Sequence, residues 1–277
     1  MTNRISMAER TQFLNLPEGR VAYDERGDGP LVICAPGMGD LRSVYRFMAQ
    51  SLEEAGYRVA LMDLRGHGDS DATFTQYDDV AVGRDLVTLT RALGGPAVLV
   101  GNSMSAGAAV WAAAEASELI VGLVLIGPFV RNVPIGGFAH AAFRLALRRP
   151  WGLAAWVSYY RRLYPSQQPR DLAAHQAAIR ASLARPAHWR AFVATTHTSH
   201  APAENRLADV TVPTLVVMGT QDPDFTNPSV EAHWIADRLS GRVVMVDHAG
   251  HYPQAEYPDL VTQAVLTFLK EAGHAAR

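Results

Sequence analysis

Short apolar blocks alternate along this chain with longer stretches in which apolar and polar positions mix at helical spacing. The blocks lie near 11–16, 20–25, 31–36, 58–63, 97–102, 121–127, 213–219 and 242–247. Runs such as Ala97-Val98-Leu99-Val100 are apolar throughout, as strands buried on both faces require. Stretches near 41–55, 77–93, 104–117, 229–239 and 258–272 predict helices between them. Strands joined by helix-length crossovers predict an α/β fold: an eight-stranded, mostly parallel sheet with helices on both faces.

The alternation stops from about 130 to 210. Helices are predicted there over Phe138–Arg149, Gly152–Leu163, Asp171–Leu183 and Pro186–Thr195, split by prolines at 150, 165, 169 and 186. The chain thus divides into a core of 1–130 and 211–277 and a helical insertion of 131–210. The insertion is rich in aromatic residues, among them Trp151, Trp156, Tyr159, Tyr160, Tyr164, Trp189 and Phe192. Its arginines at 144, 148, 149, 161 and 162 are read as a solvated helical face.

Composition narrows the partners. At 277 residues and 48% hydrophobic, the chain can bury one large core. With 25 basic and 27 acidic residues in no block of like charge, neither nucleic acid nor a membrane surface is an expected partner. Residues 1–10 lack the apolar segment of a secretory signal and no stretch would span a bilayer, so a cytoplasmic protein, monomeric or a homodimer, is expected. The single cysteine, Cys34, excludes an internal disulfide and reads as an inert packing residue. His197 and His200 have no carboxylate or cysteine at ligand spacing near them, and neither a metal nor another cofactor is expected.

The candidate chemistry begins at Gly101-Asn102-Ser103-Met104-Ser105, between the block at 97–100 and an alanine-rich segment, 106–116. This predicts a strand, a tight turn and a helix, with Ser103 at the apex. Small residues at 101 and 105 relieve the near collision of strand and helix. A serine there can cap the helix, or it can be a nucleophile if a base takes its proton and a third group orients that base. The stretch resembles the nucleophile elbow of the α/β-hydrolase fold superfamily, Gly-x-Ser-x-Gly, with Ser105 in place of the last glycine.

The resemblance continues. Its implied order is serine, acid, histidine, and Gly219-Thr220-Gln221-Asp222-Pro223-Asp224 and Gly250-His251-Tyr252-Pro253 resemble the family's acid and histidine loops. Asp222 and Asp224 are both candidates for the acid, the family spacing from Gly219 favouring Asp222. His251 is the implied base; His248 lacks the preceding glycine and reads as structural or surface. Some family members carry the acid after the sixth strand, but the stretch 123–129 offers no carboxylate. Pro36-Gly37-Met38-Gly39-Asp40 stands where the family has His-Gly, and the resemblance implies that the amides of Met38 and Met104 receive the oxyanion. Asp63-Leu64-Arg65-Gly66-His67-Gly68-Asp69-Ser70 resembles a further family turn, read as structural, with His67 a packed loop histidine.

These matches imply that the insertion is a helical cap over the pocket. They also imply a serine hydrolase acting through Ser103, Asp222 and His251 on an ester or lactone of a small, largely apolar molecule. Carbon–carbon hydrolysis or acyl transfer on the same fold is the alternative. The Gly-Asn-Ser-Met elbow resembles the carbon–carbon hydrolases, whereas Ser105-Ala106 and Tyr252 depart from them. A ligand-binding or non-hydrolytic protein is the alternative of another class. An unperturbed His251 would titrate at about 6.5.

Overall fold

The computed structural model describes residues 11–276 apart from 133–141 and 144. Eight strands form one sheet: β1 (Gln12–Leu16), β2 (Gly19–Arg26), β3 (Leu31–Ala35), β4 (Arg58–Met62), β5 (Ala97–Asn102), β6 (Ile120–Ile126), β7 (Thr214–Gly219) and β8 (Arg242–Val246). Their order is β1-β2-β4-β3-β5-β6-β7-β8. β2 pairs antiparallel with β1 and β4, and every pairing from β4 to β8 is parallel. The mostly parallel sheet expected of the apolar blocks is therefore present.

Strand pleating sends alternate side chains to two separate cores. Ile33, Ala60, Leu99, Leu125 and Val216 face one of them. There they meet α2 (Asp79–Ala92), α3 (Met104–Glu115) and α8 (Pro228–Leu239). Val32, Cys34, Leu61, Val100, Ile126 and Val217 face the other, against α1 (Arg46–Glu54) and α10 (Pro258–Glu271). Each fully buried Val, Leu or Ile contributes about 1.5–3 kcal/mol of transfer free energy, so both faces must be covered. Cys34 is fully buried and unpaired, and burial pushes its thiol well up, which keeps it unreactive.

Local chemistry sets the helix ends. The Asp78 side chain accepts from Ala81 N–H at 2.9 Å and starts α2; Asn227 does the same for Val230 N–H, with Pro228 in the first turn of α8. The helix expected over 41–55 divides into a 3₁₀ turn, Arg42–Tyr45, and α1, because Tyr45 leaves the helical region at φ −89°, ψ 5°.

Between β6 and β7 run α4 (Gly152–Arg162), α5 (Leu172–Ala184), α6 (Pro186–Thr195) and a single turn, α7 (Ala201–Glu204). A second single turn, α9 (Pro253–Glu256), precedes α10. The helix expected over 138–149 falls partly outside the described residues, at 138–141 and 144; 142–143 and 145–146 are helical. Arg148, Arg149, Arg161 and Arg162 are exposed, as a solvated face requires.

The backbone approach that shapes the serine turn is at the end of β5. A Cβ on Gly101 would lie 2.4 Å from the Ser105 carbonyl oxygen and 2.6 Å from its carbon, both backbone atoms of α3. Replacing Gly101 by alanine is expected to lower stability by about 1–3 kcal/mol through overpacking, measured by urea unfolding. An unchanged midpoint would contradict this account of the turn.

Candidate active site

Ser103 sits between β5 and α3 at φ 57°, ψ −124°, a conformation that costs about 1–3 kcal/mol and persists only where surroundings enforce it. Here they do. Ser103 N–H donates to Ile126 O at 2.9 Å, and Phe129 N–H donates to Ser103 O at 3.2 Å. Ser105, the departure from glycine, donates its hydroxyl to Pro36 O at 2.5 Å and so ties this turn to the one after β3. A Cβ on Gly37 would lie 2.9 Å from Ser103 Cβ, so only glycine lets the second turn come this close. Among the described residues the Met38 and Met104 N–H groups donate to no protein group. The Ser103 hydroxyl likewise makes no hydrogen bond among them, although the residue is only 6% exposed.

His251 follows β8 and is 2% exposed. Its Nδ1 lies 2.7 Å from Asp222 Oδ2 and 3.7 Å from Asp224 Oδ2, so Asp222 is the hydrogen-bond partner. Asp222 Oδ1 accepts from Asp224 N–H at 3.0 Å, which fixes the acid loop. Asn102 Nδ2 donates both to Ile126 O at 3.0 Å and to His251 O at 3.2 Å, linking the serine turn to the histidine loop. Burial alone would push the His251 imidazolium down. The charges of Asp222, Asp224 and Asp40 and the hydrogen bond to Asp222 more than offset it, lifting His251 to about 9. The value of about 6.5 expected from sequence is thus displaced upward. Burial, with Asp222 adding to it, also raises the Asp224 carboxyl, against the pull of His251 and Tyr159.

Asp222, Asp224 and His251 present donor atoms within 4.8 Å of one another. Those atoms are already engaged with each other, with Asp224 N–H and with the Tyr159 hydroxyl, so the trio is satisfied without a metal.

His67 is fully buried and pushed down to about 4 by burial, hence neutral. Its Nε2 accepts Gly39 N–H at 3.0 Å, which leaves the proton on Nδ1, 3.1 Å from Arg65 O. Around it Arg65 pairs with Asp85, and Arg42 pairs with Asp24, Asp63 and Asp69. His248 is exposed at φ 65° on the turn after β8. His200, for which sequence offered no nearby carboxylate, stands 2.8 Å from Asp79, a residue 121 positions away that is buried.

Several polar contacts at the site escaped the sequence reading. Asp40 is fully buried and takes His175 Nε2–H at 2.7 Å, Tyr160 OH at 2.9 Å and Leu41 N–H at 2.7 Å. Trp156 Nε1–H donates to Gly39 O at 3.2 Å, and the Tyr159 hydroxyl donates to Asp224 Oδ1. Only the aromatic richness of 151–192 signalled them. A cavity of about 640 Å³ is bounded by Leu145, Leu147, Trp189, Val193 and three arginines, 148, 149 and 190, and neither Ser103, Asp222 nor His251 lines it.

The profile of the alpha/beta hydrolase family matches residues 32–264. A 2-(acetamidomethylene)succinate hydrolase of Mesorhizobium japonicum is 26% identical over 269 residues, 91% of this chain and 92% of that protein. A 2-hydroxy-6-oxononadienedioate/2-hydroxy-6-oxononatrienedioate hydrolase of Klebsiella pneumoniae is 27% identical over 286 residues, 96% of this chain and 97% of that one. Among solved structures, a thermophilic esterase from Thermogutta terrifontis superposes with a TM-score of 0.76 over 95% of this chain and 99% of its own, at 24% identity. That likeness concerns the fold.

The raised His251 value has a measurable consequence. The imidazole resonances of His251 are expected to titrate near 9 by NMR. Asp222→Asn should lower the midpoint most and Asp224→Asn less, since each removes a negative charge facing the ring. A folded value above the unfolded one, about 6.5, means this stabilisation is complete below about 6.5 and lost as pH rises through 9. A midpoint near 6.5 in the intact protein would contradict the electrostatic account.

Proposed function

The chain belongs to the alpha/beta hydrolase family, and from that premise we propose that it is a serine hydrolase cleaving a carboxylic ester or lactone of a small, largely apolar molecule. The observation that carries this reading is the strained Ser103 turn, bound through Asn102 to the loop whose histidine is paired with Asp222. Ser103 Oγ attacks the carbonyl carbon while its proton passes to His251 Nε2, the nitrogen that the acids leave free. The developing oxyanion is received by the Met38 and Met104 N–H groups, the latter at the N-terminus of α3. His251 then protonates the leaving oxygen, and a water, deprotonated by the same nitrogen, releases the acid from Ser103. The reading adds one contact, Ser103 Oγ on His251 Nε2, which closes on substrate. Asp222 orients the ring and stabilises the imidazolium.

In this reading residues 131–210 form a cap that roofs the site. Trp156 and Phe192, tilted against each other, and Phe129, edge-on to His251, supply an uncharged aromatic wall suited to an apolar acyl or alcohol group. The protein works without metal or cofactor, in the cytoplasm, as a monomer or homodimer. Among the described residues no helix is long and apolar enough to cross a membrane.

Carbon–carbon hydrolysis is the second reading. It is favoured by the Gly101-Asn102-Ser103-Met104 elbow and by the Klebsiella relative matched along nearly the whole chain.

A fluorophosphonate is expected to label Ser103 once per chain, read by peptide mass. Ser103→Ala and His251→Ala should each lower turnover of an aryl ester by about 10³-fold or more, and the double variant little further, because the two act as one unit. The rate should rise with pH through the His251 ionisation. Labelling at another serine, or losses that multiply in the double variant, would overturn the assignment. Saturable binding of an ester without turnover would favour a binding protein, and turnover of a vinylogous diketone but not of esters the second reading.

A further inference from the structure

Helix α4 and the residue that ends it hydrogen-bond to the turn after β3, to the acid loop and to the histidine loop. Trp156, Tyr159 and Tyr160 lie at helical positions i, i+3 and i+4 and so share one face. From that face the Trp156 indole N–H holds the Gly39 carbonyl, one residue past Met38, at 3.2 Å. The Tyr160 hydroxyl holds the Asp40 carboxylate of the same turn at 2.9 Å, with His175 of α5 on its other oxygen at 2.7 Å. The Tyr159 hydroxyl holds Asp224, the second carboxylate facing His251. Leu163 O, which ends the helix, accepts His251 N–H at 3.0 Å, and a Cβ on Gly250 would lie 2.3 Å from that oxygen. Trp156 and Tyr160 are buried, at 4% and 0% exposure, so these bonds are shielded from water.

Packing alone does not call for this pattern. Phenylalanine would fill the same space at 159 and 160, yet each hydroxyl, and the indole N–H, is spent on a backbone or carboxylate group of a reacting loop. Buried donors are costly unless paired, and here the partners are the groups that orient the Met38 N–H and the field at His251. Two acceptors on adjacent residues, Gly39 and Asp40, both bound from the same helix, leave the backbone beside Met38 little freedom to tilt its amide away from the serine.

We propose that Trp156, Tyr159 and Tyr160 are positioning residues for the hydrolysis: one face of α4 holds the Met38 turn and the Asp224 carboxylate, so the site is competent only while this helix is docked. This rests on the serine-hydrolase reading and adds to it a division of labour. Trp156 and Tyr160 act on the oxyanion side, and Tyr159 acts on the acid side. Around His251 the charged or titratable neighbours are Asp222 and Asp224 on the acid loop, Asp40 on the turn and Tyr252 on its own loop. Around Asp224 they are Asp222, His251 and Tyr159, with Arg162 further along α4 acting on Tyr159. Tyr159 stabilises the charged form of Asp224 and tethers it beside the ring. Losing that hydroxyl weakens the negative field on the imidazolium.

The test is the rate of fluorophosphonate inactivation against pH for the full chain and for Trp156→Phe, Tyr160→Phe and Tyr159→Phe, each checked for thermal midpoint. His175→Gln is a second probe of the turn. Trp156→Phe and Tyr160→Phe should react between about 10- and 100-fold more slowly, as for a misplaced reacting group, Trp156→Phe with an unchanged pH midpoint and Tyr160→Phe with a smaller shift than Tyr159→Phe, since Asp40 keeps His175 and Leu41 N–H. Tyr159→Phe should shift the midpoint to lower pH and retain most of its rate on the alkaline plateau. Wild-type rates and midpoints in all the folded variants would overturn the proposal, and so would equal losses in all of them that follow the thermal midpoint. Absence of Ser103 labelling in the unsubstituted protein would instead overturn the serine-hydrolase reading itself, so the two failures are distinct.

Discussion

The close approach of two backbones at the end of β5 is the constraint on which the site depends. Strand β5 enters α3 with no space for a Cβ at position 101, and the chain escapes only by passing Ser103 through φ 57°. That conformation is unfavourable for an L-residue, so it exists because two parallel strands and a helix already fix its neighbours. Its bonds are to Ile126 at the end of β6 and to Phe129 just beyond it. The Ser105 hydroxyl extends the constraint to the turn after β3. A glycine at 105 would satisfy the steric demand and lose that tether, so serine here is a substitution with its own contact.

Electrostatics follow from where that turn stands. Parallel strands deliver their carboxyl ends to one edge, and three acidic side chains, Asp40, Asp222 and Asp224, arrive there around His251. Their field favours the imidazolium and lifts His251 to about 9. In the proposed reaction this suits a ring that must hold a proton once it has taken one, and it makes the neutral base scarcer at neutral pH. In that reaction the same field opposes a negative charge on a substrate oxygen. Uncommitted N–H groups and the positive end of α3 are therefore needed beside Ser103, where the fold supplies them.

The centre of the sheet was legible in the sequence because strands buried on both faces leave continuous apolar runs, as in β3, β5 and β7, whereas β1 and β2 carry polar, exposed positions. Pro-bounded segments likewise marked α4 to α6. The residue types at the site were visible where chemistry is local: a glycine two before a serine, a glycine before a histidine. Choosing between Asp222 and Asp224 rested on a spacing pattern, and the structure separates them by distance, 2.7 against 3.7 Å. Contacts that join distant elements were not legible. Asp40 meets His175 across 135 positions and Tyr160 across 120. Nothing in periodicity tells a buried tyrosine that packs from one that also donates. His200 shows the same limit, since its carboxylate partner lies 121 positions away.

These long-range contacts bear on what family membership leaves open. The core chemistry of a serine turn, an acid and a histidine is compatible with several bond types, so the distinguishing part of this molecule is what covers it. Ser103 is 6% exposed and does not line the large cavity bounded by Trp189 and Val193. If α4 acts as proposed, any movement of it that admits a ligand stretches the bonds that join Trp156, Tyr159, Tyr160 and Leu163 to the Met38 turn, the acid loop and His251. A ligand that fits beneath the aromatic face then lets Tyr160 return to Asp40 and Tyr159 to Asp224, so cover and competence are linked through one helix.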